Sequence, residues 1–92
     1  MALENTFCCE VMTAEGSVLD VKATSVVFPA SDGMVGVLRD RSPLAAALGA
    51  GRIVVRRPGR RYRLFVDGGI AHMRDNKLTI IAERCQRVGD KL

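Results

Sequence analysis

The stretch YRLFVDGGIAHMRDNKLTIIAE, Tyr62–Glu83, decides the fold. Apolar and polar residues alternate through its first seven positions and again through its last seven, which is typical of strands with one buried face. Asp75 and Asn76 interrupt this alternation as a short turn that joins two antiparallel strands. The stretch therefore predicts a β-hairpin. Its predicted core-facing side chains are those of Tyr62, Leu64, Val66, Ala71, Met73, Leu78, Ile80 and Ala82.

The same alternation runs through the rest of the chain. Near its start, Phe7, Cys9 and Val11 share one face. Turn-forming residues lie at 14–16, 31–33 and 58–59, and they separate further short strands. Regular spacing of turns between short strands indicates a sandwich. We therefore predict one all-β domain over residues 1–92, an antiparallel β-sandwich of two sheets with about 8–10 short strands.

Composition excludes several classes of protein. Apolar residues make up 48% of the chain and charged residues 26%, which is ordinary for a globular domain and unlike a disordered one. The longest nearly uncharged run, Ser42–Gly51, is too short for a membrane helix, and the first residues lack a signal-peptide pattern. Three cysteines without a Cys-x-x-Cys motif support neither a disulfide framework nor a zinc site. We expect a soluble protein in a reducing compartment.

Positive charge is concentrated in the second half of the chain. The net charge is +4, yet Arg52–Arg63 alone contains six arginines and no acidic residue. One interpretation is a nucleic-acid-binding module in which arginines follow phosphates and Tyr62 stacks on a base. The other is a solvated hairpin tip, near an anionic lipid or an acidic partner. The protein has only four aromatic residues, fewer than single-strand binding normally uses, which disfavours nucleic acid.

Residue types that carry catalysis are scattered. His72 is the only histidine, and it alternates onto the outer face of its strand, away from a nucleophile or acid. Cys8 and Cys9 point to opposite faces of one strand, so they cannot readily share a metal ion. No glycine run precedes a Lys-Ser or Lys-Thr pair, as a phosphate loop requires. We expect no catalytic residue, metal or cofactor.

Several short motifs occur in a distinctive order. A Thr-Ala-Glu corner at residues 13–15 is followed by a glycine-containing loop, a Ser-Pro-Leu motif at 42–44, an Ala-Gly pair at 50–51 and an Asp-Gly-Gly turn at 67–69. This order resembles the N-terminal β-sandwich of the ε subunits of F-type ATP synthases, over about residues 7–88. The residues that match the family's Gly-x-Leu-Gly-Ile loop and its Pro-Gly-His-Ala-Pro-Leu motif are Gly33, Val35, Gly36, Val37, Ser42, Pro43 and Leu44.

Three features depart from the family's pattern. Residues 39–41 are Arg-Asp-Arg where the family has an aromatic residue and a Pro-Gly-His run, and Met34 stands at a position that is often acidic. After AERCQRVGDKL the sequence stops where the family continues into a two-helix hairpin. Since that hairpin carries inhibition and, in some members, ATP sensing, we expect neither here.

The resemblance also addresses a conflict in the run Leu44–Leu48. Ser42 and Pro43 favour the start of a short helix, and Gly49 favours its end. Helix propensity is a weak prior that tertiary context overrides. The family resemblance favours an extended segment.

The resemblance implies a non-catalytic central-stalk subunit at the cytoplasmic face of the inner membrane, peripheral and held there by its complex. Its partners would be the γ subunit and the membrane c-ring, with neither nucleic acid nor a small-molecule substrate. The implied c-ring contact comprises Asp32, Gly33, Met34, Arg39, Asp40, Arg41 and Ser42. The implied γ contact comprises Met12, Thr13, Phe65 and Ile81, with Val54 as a further outward apolar residue. The alternatives are a polar surface turn for the first set and scattered apolar exposure for the second.

Overall fold

The computed structural model describes residues 5–89, and every regular element in this range is a β-strand. The predicted domain, 1–92, extends beyond the described residues at both ends. The strands in chain order are β1 (Phe7–Thr13), β2 (Gly16–Ala23), β3 (Ser25–Ala30), β4 (Gly33–Val37), β5 (Leu44–Ala47), β6 (Ala50–Arg57), β7 (Arg60–Arg74) and β8 (Lys77–Gly89). The all-β prediction is confirmed. The conflicting run at Leu44 is extended, because it pairs with β7 along β5.

The strands form one hydrogen-bonded path that folds into two layers. Its order is β2-β1-β8-β7-β6-β3-β4, with β5 paired to β7. The long strands β7 and β8 serve both layers. Their paired parts 69–74 and 77–82 join β1, β2 and β5, while 60–67 and 84–89 join β6, β3 and β4. We call these the first and second layers.

Two features of this topology differ from the sequence prediction. With 15 and 13 residues, β7 and β8 are not short strands. The pair formed by β1 and β8 is parallel, with Cys9 opposite Leu78, although all other neighbours are antiparallel. Alternation within a strand determines its buried face but not the direction of its neighbour, so neither feature follows from the sequence pattern.

Gly68 and Gly69 bend β7 from the second layer into the first. Their φ angles are +80° and +125°, in the region that side-chain-bearing residues rarely adopt. A Cβ atom on Gly69 would overlap the carbonyl oxygen of Ile81 on the neighbouring strand. The bend therefore requires glycine both for its backbone angles and for the close approach of β8.

The core lies between the two layers. Most strands contribute alternate residues to it, as the period-two pattern predicts, and no polar or charged side chain of residues 5–88 is buried there. Full burial of one large aliphatic or aromatic side chain stabilises the fold by about 1.5–3 kcal/mol. The largest fully buried side chains are Phe7, Val11, Val26, Phe28, Val37, Ile53, Val55, Leu64, Val66, Met73, Leu78 and Ile80.

The turn between β7 and β8 fixes their register. Asp75 and Asn76 both have positive φ, +52° and +59°, as a two-residue type I′ hairpin turn requires. The register then places Ile70 opposite Ile81 and His72 opposite Thr79 on the outer face. The predicted hairpin turn is confirmed.

Candidate interaction surfaces

A row of apolar side chains crosses the outer face of the first layer. Met12 on β1 lies opposite Ile81 on β8, Ile81 lies opposite Ile70 on β7, and Ile70 lies opposite Ala47 on β5. Ile70 and Ile81 are 49% and 46% exposed. We call Met12, Ala47, Ile70 and Ile81 the apolar row. Beside it is a shallow cavity of about 490 Å³ lined by Thr13, Ala14, Gly69, Ile70, Ile81, Ala82 and Glu83.

The structure gathers three of the four predicted γ-contact residues. Met12, Thr13 and Ile81 lie at or beside the apolar row. Phe65, also 49% exposed, lies beyond the Gly68–Gly69 bend, on the second layer between Arg52 and Gln86. Val54, the further apolar candidate, is half-buried on that same layer.

Ile70 was not predicted as a member of this surface. The signal was present, because alternation places Ile70 on the outer face and the two-residue turn Asp75–Asn76 fixes which residue it opposes. The position of Ala47 could not be predicted from the sequence around it. Its place depends on the pairing of β5 with β7, two strands that are separated in the chain by β6 and its flanking turns.

The predicted c-ring segment is not one loop. Asp32 lies in the turn between β3 and β4, Gly33 and Met34 begin β4, and residues 39–42 lie in the connection from β4 to β5. At about 3.3 Å per residue, β4 separates Met34 from Val37, two residues before Arg39, by roughly 10 Å. Alternation is weak in this short edge strand, so its two glycines and the charged residues on either side of it suggested a continuous loop. Met34, near the start of β4, is 61% exposed.

Asp40 has an internal role that the sequence did not indicate. Its backbone N–H donates to the side-chain oxygen of Asn76 at 2.6 Å, and the Asn76 amide donates back to the Asp40 carboxylate at 3.0 Å. Asp40 also has a positive φ of +65°. The connection between β4 and β5 is thereby fixed to the turn between β7 and β8.

The charges of the domain separate toward two ends. One end gathers the turns at residues 14–15 and 31–32 and the Gly68–Gly69 bend, which are joined through hydrogen bonds from Ser31 to Ala47 and from Leu48 to Gly69. We call it the acidic end: it carries Glu15, Asp32, Asp67, Glu83 and one basic residue, Arg84.

The opposite end gathers residue 24, the 38–43 connection and the turns at 58–59 and 75–76, through the Thr24–Arg56 backbone bond and the Asp40–Asn76 pair. We call it the basic end. It carries Arg39, Arg41, Arg56, Arg57, Arg60, Arg61, Arg74 and Lys77, with Asp40 and Asp75 as its carboxylates.

The arginine-rich hairpin of β6 and β7 ends at the basic end. Two arginine pairs face each other across its tip, Arg56–Arg61 and Arg57–Arg60. Tyr62 is only 7% exposed, and the guanidinium groups of Arg60 and Arg87 lie over its ring at 5.1 Å and 5.7 Å from the centroid. The suggestion that Tyr62 stacks on a base is therefore wrong, because its ring packs into the core edge beneath two cations.

The structure places the other reactive residue types apart from one another. His72 is exposed, between Ala45 and Thr79 on neighbouring strands. Burial raises the pKa of the Cys9 thiol to about 12, with smaller contributions from Asp20 and Cys8. No three histidine, cysteine, aspartate or glutamate side chains of residues 5–89 are close enough together to hold a metal ion.

The described part of the chain contains no helix with the length and apolar character needed to cross a bilayer.

Residues 6–88 match the family described as ATP synthase, Delta/Epsilon chain, beta-sandwich domain. The chain belongs to this family. Among its relatives, the ATP synthase epsilon chain of Nitratidesulfovibrio vulgaris (strain Miyazaki F) is 33% identical over 96% of this chain, and that of Synechococcus sp. is 32% identical over 95%. The chain spans 66% and 63% of the lengths of these two epsilon chains, so they contain further sequence that it does not match.

Two solved structures of ATP synthases contain chains with the same fold. A chain in the mitochondrial ATP synthase of Euglena gracilis, solved with its c-ring, superposes with a TM-score of 0.83, covering 89% of this chain and 53% of its own length. A chain in the central stalk and c-ring structure of the Tetrahymena thermophila synthase gives a TM-score of 0.73, covering 86% and 64%. Since the sequence identities are 18% and 12%, this likeness concerns the fold.

Proposed function

We propose that the domain is a non-catalytic clamp in the central stalk of an F-type ATP synthase, joining the γ subunit to the c-ring. It would work at the cytoplasmic face of the inner membrane, as a peripheral part of the complex. Membership of the delta/epsilon family supports this assignment, and the structural relatives come from a central stalk and from assemblies with a c-ring.

The apolar row carries the proposal. Ile70 and Ile81 are about half exposed and lie directly opposite each other, with Met12 and Ala47 extending the row across four strands. A contiguous apolar strip on a sheet face favours contact with another protein, since its burial removes that surface from water. We assign the row to the γ contact, and Phe65 lies outside it on the second layer.

The c-ring contact is assigned to the turn at Asp32, Gly33 and Met34. This turn lies beside the apolar row, because the Ser31 N–H donates to the carbonyl oxygen of Ala47 at 2.9 Å. One end of the domain can therefore reach both partners. Residues 39–42 lie at the opposite end, where Asp40 is held by Asn76.

The architecture suits a part that transmits torque. The two surfaces belong to one closely packed body, and the long strands β7 and β8 run continuously through both layers. Close-packed interiors deform little under load, so two partners bound to such a body keep their relative orientation. The proposed contribution to ATP synthesis is mechanical and includes no chemical step.

Co-purification with the γ subunit of the same synthase tests the proposal. Ile70→Glu introduces a charge into the proposed interface and should weaken γ binding by about 30-fold, about 2 kcal/mol. Phe65→Glu is a matched control, because Phe65 is equally exposed on the other layer. It should change the affinity for γ by less than about twofold, which is well below the effect of substituting one hot-spot residue.

Reconstitution with γ and a c-ring completes the test. The proposal expects ion-driven ATP synthesis to require this chain and to be impaired by Ile70→Glu. Equal losses for Ile70→Glu and Phe65→Glu would instead extend the γ surface around the bend. Assembly and coupling that are unchanged when the chain is left out would contradict the proposal.

A further inference from the structure

The arginine-rich hairpin has no part in the clamp, and it carries a separate inference. We propose that the tip of the β6–β7 hairpin binds a phosphate-bearing anion with several negative charges, of the inorganic polyphosphate class. This site lies at the basic end, opposite the Asp32–Met34 turn, and does not depend on the assignment of γ or the c-ring.

The tip brings like charges together at close range. Arg56 lies directly opposite Arg61, and Arg57 lies directly opposite Arg60, next to the Pro58–Gly59 turn. Directly opposed residues in an antiparallel pair have Cβ atoms about 4.5–5.5 Å apart, and like charges at that spacing destabilise the pair. A bound anion would convert this repulsion into attraction.

Four arginines at or beside the tip have no carboxylate partner in the described part of the chain. Arg56, Arg57, Arg61 and Arg63 form no ion pair with a carboxylate of residues 5–89. The Nε atoms of Arg61 and Arg63 are shielded from solvent and have no hydrogen-bond acceptor in the described chain. A shielded donor without an acceptor is costly, and such a donor commonly marks the place of a water molecule or an ion.

The donor set favours phosphate oxygens. The segment Arg52–Arg63 uses arginine six times and lysine not at all. The guanidinium group presents planar paired N–H donors that match phosphate in a bidentate manner, whereas lysine acts as a point charge. Arg56, Arg57, Gly59, Arg60 and Arg61 line a cavity of about 390 Å³, which is within the range of small-ligand sites.

The surroundings of the tip disfavour a macromolecular partner. Protein interfaces usually have an apolar or aromatic centre, but Pro58 and Gly59 are the uncharged residues between Arg57 and Arg60. Single-stranded nucleic acid needs stacking platforms, and Tyr62 is buried beneath Arg60 and Arg87. A small anion needs only the guanidinium donors that line the cavity.

Isothermal titration of the full chain with inorganic tripolyphosphate, at about 0.1 M salt where long-range attraction is screened, tests the site. Saturable binding is expected, tighter than for inorganic phosphate. Arg61→Gln should weaken it about tenfold or more, since a charge-assisted hydrogen bond is lost. Arg84→Gln is the control: it removes the same charge at the acidic end and should change affinity by less than about twofold. Circular dichroism checks that both variants are folded.

Two further titrations identify where the phosphate comes from. Vesicles rich in phosphatidic acid that bind in an Arg61-dependent manner, and that tripolyphosphate displaces, would support the site and place its phosphate on a lipid. Vesicles that fail to bind while tripolyphosphate binds would support a free anion. Absence of tripolyphosphate binding, equal losses from Arg61→Gln and Arg84→Gln, or RNA binding that tripolyphosphate cannot displace would each overturn the proposal.

Discussion

Strand β7 takes part in two hairpins that present different cross-strand pairs on their outer faces. With β8 it forms a hairpin closed by Asp75–Asn76, in which Ile70 opposes Ile81 on the outer face. With β6 it forms a hairpin closed by Pro58–Gly59, in which Arg56 opposes Arg61. Apolar cross-strand pairs stabilise a sheet, and like-charged pairs destabilise it.

The two hairpins therefore differ in how much of each supports the core and how much is available for binding. The β7–β8 hairpin supports the core on its inner face and presents the apolar row on its outer face. The tip of the β6–β7 hairpin extends past the core and holds the opposed arginine pairs Arg56–Arg61 and Arg57–Arg60. The β7–β8 hairpin should be intolerant of substitution on its core-facing side, whereas the tip of the β6–β7 hairpin should be tolerant.

The largest effect is expected at the bend of β7. Gly69→Ala would place a methyl group against the Ile81 carbonyl at a φ of +125°, so we expect a loss of about 4 kcal/mol or failure to fold. Gly36→Ala is the control, because nothing lies within 4 Å of its Cβ position. It should shift the urea unfolding free energy by less than about 1 kcal/mol. Equal effects would show that the bend is not a constraint.

Adjacent residues of β8 should respond very differently to truncation. Ile80 is fully buried, so Ile80→Ala should cost about 3 kcal/mol in unfolding free energy. Ile81 is 46% exposed, so Ile81→Ala should cost less than about 1 kcal/mol in the isolated domain. Chemical denaturation of both variants measures the difference. Similar losses would show that the apolar row is already buried in the free protein.

Alkaline pH should weaken the core behind the β7–β8 hairpin. Cys9, opposite Leu78, has its pKa raised from 9.0 to about 12 by burial, so the folded state keeps the thiol proton that the unfolded chain releases. Its contribution is complete below pH 9 and is lost as the pH rises toward 12. Between pH 8 and pH 10 the wild type should lose about 1.4 kcal/mol more stability than Cys9→Val. Parallel stability curves would contradict this assignment.

The smallest effect on stability is expected from substitution of arginines. Its sign should depend on whether the opposing residue is basic or acidic. Arg61→Gln relieves repulsion from Arg56 and should stabilise the free domain by about 0.4 kcal/mol at low salt. Arg84 lies opposite Asp67, so Arg84→Gln should destabilise by a similar small amount. Thermal unfolding at two salt concentrations measures both, and screening should reduce each shift. Shifts of the same sign would contradict the comparison of the two hairpins.

Local sequence determined much of this fold. Alternation correctly assigned the inner and outer faces of β1, β7 and β8, and the Asp75–Asn76 turn was predicted where it occurs. These features depend on neighbours in the chain, for which side-chain period and turn chemistry are sufficient. Family resemblance correctly favoured the extended form of Leu44–Ala47 over its helical propensity.

Features that depend on distant segments were not predictable in the same way. The parallel pairing of β1 with β8 joins opposite ends of the chain, and the continuous bend of β7 depends on the contact of Gly69 with Ile81. The interpretation of residues 32–42 as one loop was wrong, because β4 is short and its alternation is weak. Tyr62 looked available for stacking because the sequence does not show that two arginines cover its ring.

Hydroxyl-radical footprinting of the chain, free and in the assembled synthase, tests the central claim most directly. Met34, Ile70 and Ile81 are exposed in the free domain and should become protected on assembly. Phe65 and Leu38 are as exposed but lie outside the assigned contacts, so their labelling should not change. Protection of Phe65 and Leu38, with Met34, Ile70 and Ile81 still labelled, would contradict the clamp.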